Sequence, residues 1–323
     1  MRVPVLSAAR LPLVRTNAPD AGFLGAPVEV DLDRLEADVA ILGVPHGWSY
    51  PQPGATAGCA DAPSAVRRRS AGLARFRGHW DFDLDGPMLP AGGSRLVDAG
   101  DVPSRPDDGP GNSEAISAAV AAIVERGAVP ICLGGDDSVT IPVLRALATR
   151  GPLTVVQVDA HLDFRDEVDG VREGYSSPMR RASEMTHVTR TVQVGLRGVG
   201  SARPEDRDAA RAAGNTIVTA RQLRAAGPAA VLPHIAEDAA VFVAFDVDGL
   251  DPSAFPAASA LAPGGLTFAE ADELLGAIGP RLVGAAFTEY VPGLDVNEIG
   301  ALVVARLAVR LAAGVGGHHN PPG

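Results

Sequence analysis

The sequence predicts an α/β protein built on a mostly parallel β-sheet covered by helices. Three observations carry this. Apolar runs of strand length alternate along the chain with stretches of helical apolar spacing. Several of those runs are apolar at nearly every position; in LTVVQVDAH, Gln157 alone interrupts Val155, Val156 and Val158, the pattern of a strand buried on both faces. Acidic residues follow the runs closely, and in parallel sheets functional groups gather at the C-terminal ends of the strands. The 323 residues, 46% of them hydrophobic, suffice for one large domain or two smaller ones. Eight strands are compatible with a closed barrel or an open doubly wound sheet, and periodicity does not choose between them.

In chain order, residues 1–36 read as an N-terminal extension and 37–317 as a single domain. The first strand is ADVAILGVP from Ala37 and the second RLVDAGDV from Arg95, with a Pro/Gly-rich loop from Ser104 to Gly111 after it. The helix ISAAVAAIVERG ends at a glycine, where a left-handed C-cap costs little. VPICLGG from Val129 is the third strand, and VLRALATRG a helix with a similar glycine stop. Strands follow at Leu153, at TRTVQVGLRG from Thr189, NTIVTA from Asn215 and AVFVAFDVD from Ala240. Residues 252–265 form a second long loop. LTFAEADELLGAIG then opens with Thr267 three residues before Glu270, a capping box, and LVGAAFTEYV from Leu282 is the eighth strand. Residues 318–323, which include His318 and His319, read as a flexible Gly/Pro-rich tail.

Composition excludes several classes of function. There is no lysine, every basic side chain other than histidine is arginine, and the formal net charge is -11, which opposes attraction to nucleic acid or anionic lipid. No apolar stretch is long enough to span a bilayer, and the first twenty residues lack the apolar centre of a secretory signal. A cytoplasmic, soluble protein is expected. Cys59 and Cys132 are far apart and Cys132 lies in an apolar run, so no disulfide framework is expected.

The acids after the strands are not scattered. Asp136 and Asp137 follow the strand at Val129; Asp159, His161 and Asp163 follow that at Leu153; Asp246 and Asp248 end that at Ala240; Glu289 ends that at Leu282. Alternate positions of an extended chain share a face, so if strand geometry persists, Asp159, His161 and Asp163 converge. Carboxylates crowded at one edge of a sheet repel unless a cation neutralises them. One imidazole among many carboxylate oxygens is a hard ligand set that suits manganese.

The order GGDDS, DAHLD, DVDGLDP resembles the metal motifs of the ureohydrolase family, which includes arginase and agmatinase. GVPHGWSYPQPGATAGCADAPSAVRRRS, SSPMRRA and TEYVPGLD resemble further family segments, so the likeness runs from about Gly43 to the final helix. It implies an open three-layer α/β/α fold with an eight-stranded, mostly parallel sheet. It also implies two manganese ions, with Asp159 and Asp246 bridging, Asp137 and Asp163 completing one shell, and His161 and Asp248 the other. The implied chemistry is activation of a bridging water, attack on a guanidinium carbon and release of urea, with Glu289 holding the guanidinium. Two departures stand out: Asp137 occupies a position where the family usually has histidine, and Tyr175 falls where it has a loop histidine. Tyr175, Glu173 or His46 are the candidates for the missing proton carrier, whereas His187 and His234 read as structural. The expected substrate is a small cationic guanidino compound, agmatine-like. A guanidino acid or larger guanidino metabolite is the alternative, with Arg165, Arg172 or Arg180 at the pocket mouth; a catalytically silent metal-binding paralogue is another. The resemblance also implies a homo-oligomer, trimer or hexamer.

Overall fold

The computed structural model describes residues 14–51, 57–89 and 93–315. Ten strands occur among them: β1 (Val39–Val44), β2 (Trp80–Asp81), β3 (Gly86–Pro87), β4 (Leu96–Asp101), β5 (Val129–Gly134), β6 (Leu153–Val158), β7 (Val188–Leu196), β8 (Thr216–Thr219), β9 (Ala240–Asp246) and β10 (Leu282–Thr288). β2 and β3 form a small antiparallel hairpin. The other eight, matching the eight expected strands, form one sheet in the order β4-β1-β5-β10-β9-β6-β7-β8. Every neighbouring pair is parallel. β4 and β8 lie at opposite ends and do not pair with each other, so the sheet is open and the barrel is excluded.

Helices cover both faces. α1 (Ala62–Ala71), α6 (Ala220–Ala226), α7 (Phe268–Ile278) and α8 (Ile299–Gly314) contribute to the same core as Val39, Ile41, Val156 and Val158. α2 (Gly109–Glu125), α3 (Thr140–Ala146), α4 (Pro178–Glu184) and α5 (Pro204–Ala212) share the opposite core with Ala40, Leu42 and Val155. Successive strand residues thus enter different cores, which is why the central strands are apolar at nearly every position. Residues 14–36 cover the β4 edge: Asn17 bridges to Asp101 and Val28 to Asp98, while Phe23 and Leu24 are buried. Covering protects the unpaired strand groups. Asp98 is held there by the buried Arg67 of α1, at 2.8 and 2.9 Å, and by the Phe23 amide at 2.7 Å.

Local expectations meet mixed outcomes. Gly127, just beyond α2, is left-handed at φ 83°, and Thr267 and Glu270 form the capping box of α7. The helix expected to stop at Gly151 instead breaks into α3 and a 3-10 turn over Leu147–Arg150, and Gly151 is extended at φ -73°. Pro152 follows it, and a residue before proline is pushed to extended backbone. Cys59 and Cys132 are free and buried. No helix among the described residues is long and apolar enough to cross a membrane. The tail with His318 and His319 lies outside the described residues.

Candidate metal centre

Four adjacent strands at the middle of the sheet, β5, β10, β9 and β6, deliver the acids to one edge. Their convergence is not the work of persistent strand geometry. β6 stops at Val158, the Asp159 carboxylate accepts the His161 amide at 2.6 Å, and Asp163 adopts a left-handed φ of 47°. In the same way Asp246 accepts the Asp248 amide at 2.8 Å, in a 3-10 turn over Val247–Gly249. Side-chain-to-backbone turns of this kind let an aspartate fold its own chain back. The turns pack tightly: a Cβ on Gly249 would fall 2.9 Å from the Asp159 amide nitrogen. Left-handed aspartate at the site costs about 1–3 kcal/mol, a strain the surrounding packing must sustain.

The result is two ligand triads sharing one residue. Single donor atoms of Asp159, His161 and Asp248 lie within 4.8 Å of one another, and so do those of Asp137, Asp159 and Asp163. Asp246 belongs to neither triad, although it lines the same cavity. His161 Nδ1 lies 2.9 Å from Asp248 and 3.4 Å from Asp159. Asp137 Oδ1 accepts the hydroxyls of Thr140 and Thr288 at 2.8 and 2.9 Å, whereas its buried Oδ2 has no hydrogen-bond donor. An unsatisfied buried carboxylate oxygen is costly unless something positive meets it.

Electrostatics point the same way. Burial, then repulsion from Asp159, raises the pKa of Asp137 and of Asp163; burial, then Asp248, raises that of Asp246. Asp248 is lifted to about 6 by burial and Asp159. Burial opposes a charge on His161, but hydrogen bonds to Asp159 and Asp248 outweigh it and lift its pKa to about 10. Asp159 alone among the six is lowered: burial disfavours its charge, and hydrogen bonds from His161 and Asp163 prevail. The donor set therefore fits a pair of hard divalent cations, one per triad.

The cavity beside the triads has a volume of about 190 Å³. His161, Asp163, Asp246, Asp248 and Glu289 form its charged wall, and Tyr175, Ser176, Ser201, Ser259 and Ala260 the remainder. Glu289 ends β10 in a left-handed conformation, φ 66°. Its Oε1 accepts the Asp137 amide at 2.8 Å, and its Oε2 accepts the Ser259 hydroxyl and, at 3.9 Å, the Cys59 thiol. Burial, then Asp136, pushes its pKa up to about 8.

Of the candidate proton carriers only Tyr175 reaches the cavity. Its ring lies 4.5 Å from that of Tyr50, and burial raises its pKa. His46 is not among the lining residues, and Glu173 is turned to Arg145 at 2.7 Å. The arginines expected at the mouth are engaged elsewhere. Arg172 pairs with Asp166 at 3.0 Å, Arg180 with Glu184 at 3.4 Å, and Arg165 lies 3.9 Å from Asp206. His187 bonds the Leu144 carbonyl at 3.0 Å, a structural role. Sequence reading passed over Ser201 and Ser259, which carry no motif of their own; Ser259 lies in the long 252–265 loop.

Comparison with known proteins agrees with this fold. The family model described as Arginase family matches residues 37–314. Guanidinopropionase of Pseudomonas aeruginosa is 33% identical over 302 residues, covering 90% of this chain and 91% of its own. The mitochondrial agmatinase of Gallus gallus is 31% identical over 294 residues, covering 88% and 82%. The solved structure of proclavaminate amidinohydrolase from Streptomyces clavuligerus superposes with a TM-score of 0.81 at 25% identity, covering 93% of this chain and 98% of its own.

Proposed function

Because the chain belongs to the arginase family, hydrolases that cleave amidino C–N bonds, we propose that it releases urea from a small, positively charged guanidino compound whose chain is agmatine-like. The observation that carries the choice of substrate is the cavity wall: acids, hydroxyls and one histidine, with no arginine among the described lining residues. A guanidino acid would leave its carboxylate facing carboxylates there, an arrangement that repels. Two divalent ions would neutralise four of the six charges on Asp137, Asp159, Asp163, Asp246, Asp248 and Glu289. The two left over suit a guanidinium and a second cationic group. A cavity of about 190 Å³ is smaller than the roughly 300–1,000 Å³ of drug-sized pockets, which favours a short chain.

In this reading Asp137, Asp163 and Asp159 would hold one ion and His161, Asp248 and Asp159 the other, and Asp246 would be a further shared ligand. The carboxylate at 137 makes manganese the preferred metal. When bound, such a pair supplies Lewis acidity that makes a water acidic enough to lose its proton near neutral pH. Glu289, fixed by the Asp137 amide and the Ser259 hydroxyl, accepts the guanidinium N–H groups and turns the carbon toward the acids. Tyr175, on the cavity wall and kept a phenol by burial, would donate a proton to the departing nitrogen. A trimeric or hexameric assembly belongs to the same proposal and is measurable by light scattering.

Urea release from agmatine, arginine and 3-guanidinopropionate, after separate loading with manganese, nickel and zinc, tests the reading. Agmatine with manganese is expected to be fastest. Preference for the acid would overturn the substrate assignment, and release from none of them would favour a silent paralogue.

A further inference from the structure

Gln157 is the one amide side chain inside β6, and the chemistry above does not use it. It is 1% exposed and sits one pleat below Asp159. Its Nε2 donates to Asp159 Oδ2 at 2.6 Å and to Asp163 Oδ2 at 3.2 Å. Its Oε1 accepts Gln193 Nε2, at 2.7 Å, from the residue in register with it on β7. Gln193 Nε2 also donates to the Leu162 carbonyl at 2.7 Å, and Gln193 Oε1 accepts Asn215 Nδ2 at 2.9 Å, just before β8. All three amides are buried or nearly so.

The direction of this chain is fixed by its end. Carboxylates that hold a cation are ionised and only accept, so in that state Gln157 must turn its NH2 toward Asp159 and Asp163. Its carbonyl then faces Gln193, which must offer its own NH2, which in turn forces the Gln193 carbonyl toward Asn215. Both hydrogens of Gln157 and both of Gln193 are consumed, so no other orientation satisfies every buried group. A glutamine that merely filled space would need none of this.

We propose that Gln157 is a positioning residue of the metal centre, oriented by Gln193 and Asn215 so that it presents Asp159 and Asp163 to a cation in one fixed geometry. The inference rests on the reading that these two aspartates hold metal. Outer hydrogen bonds of this kind typically change metal affinity by about 10–100-fold.

Manganese binding tests it without substrate, by titrating the purified full chain and following free Mn2+ by its EPR signal, with the bound-manganese spectrum as a second readout. Gln157→Met, close in size but without a donor, is expected to weaken binding at least tenfold and to alter the bound spectrum. Asn215→Asp, remote on the far side of β7, places an acceptor against the Gln193 carbonyl and should also weaken binding, by several-fold. The relay requires that this second loss vanish when Gln157 is already methionine. An Asn215→Asp effect that is absent, or of equal size in both backgrounds, overturns the proposal. Should Gln157→Met fail to fold, Asn215→Asp must weaken binding more than Asn215→Ala, which removes a donor without adding an opposed acceptor; equal effects overturn it. A wild-type chain that binds no manganese sinks the metal reading and this inference together. Wild-type binding with unchanged variants sinks this inference alone, and neither outcome depends on which guanidino compound is hydrolysed.

Discussion

Asp159 is the residue on which both triads depend, so Asp159→Ala is expected to cost both ions, whereas Asp163→Ala should cost one. Asp246→Ala distinguishes a second shared ligand from a cavity acid that only tunes the field: loss of both ions supports the former. Elemental analysis of manganese-loaded protein reads all three, and full stoichiometry in Asp159→Ala would sink the shared-ligand assignment. Glu289→Gln keeps the shape and removes the charge. Hydrogen bonds to a charged group contribute about 1.5–3 kcal/mol, so kcat/KM for a guanidino substrate should fall roughly ten- to hundredfold with metal content unchanged. The motif residues were legible in the sequence because each pair lies within five positions and at a strand exit. Gln193, Asn215 and Ser259 were not, since each joins the network through a partner that only the assembled fold brings beside it. His46 shows the converse: a histidine just after a strand looked close to the chemistry, yet it does not line the cavity.

At the scale of elements, the β2–β3 hairpin is tied to α8 by Arg306, which donates to both oxygens of Asp81 and to Asp83 at 2.9 Å, and by Arg310, which donates to the Asp83 carbonyl at 2.8 Å. The hydrogen bond from Arg306 outweighs burial and holds the Asp81 pKa below the usual carboxylate value. A depressed folded-state pKa contributes stability at and above the unfolded pKa, near 4, and loses it as the pH falls further. Asp81→Asn should therefore cost on the order of 1–3 kcal/mol at neutral pH, with the difference from wild type shrinking toward pH 3. Urea unfolding at several pH values checks this, and a difference independent of pH would contradict it. The central strands were readable because they are largely apolar and buried on both faces. The turn geometry at their ends was not: nothing in DAHLD distinguishes a continuing strand from an aspartate that bonds its own backbone two residues on.

For the whole molecule, a formal charge of -11 and an acid-walled cavity set a field that favours cations. Exposed charges are screened over about 10 Å at 0.1 M salt, so kcat/KM for agmatine should decline as ionic strength rises from about 0.01 to 0.5 M. For an acidic guanidino compound the dependence should reverse. Stopped assays of urea at constant pH and metal would show it, and the same salt response for both substrates would argue against electrostatic selection.

The sheet order has a consequence for how the protein comes into being. β10 is the last strand in sequence, yet it lies between β5 and β9. A chain still being synthesised can pair its earlier strands only around a gap at the centre, because the strand that joins the two halves has not yet been made. Closing that gap requires contacts between residues separated by up to about 150 positions, a slow, high-contact-order step. Until it happens Glu289 and Thr288 are not beside Asp137, and the acids of β5 and of β6 and β9 sit on separate halves. Metal uptake by the Asp137 triad should therefore lag behind collapse in a refolding experiment, and a chain ending before residue 282 should take up no ion there.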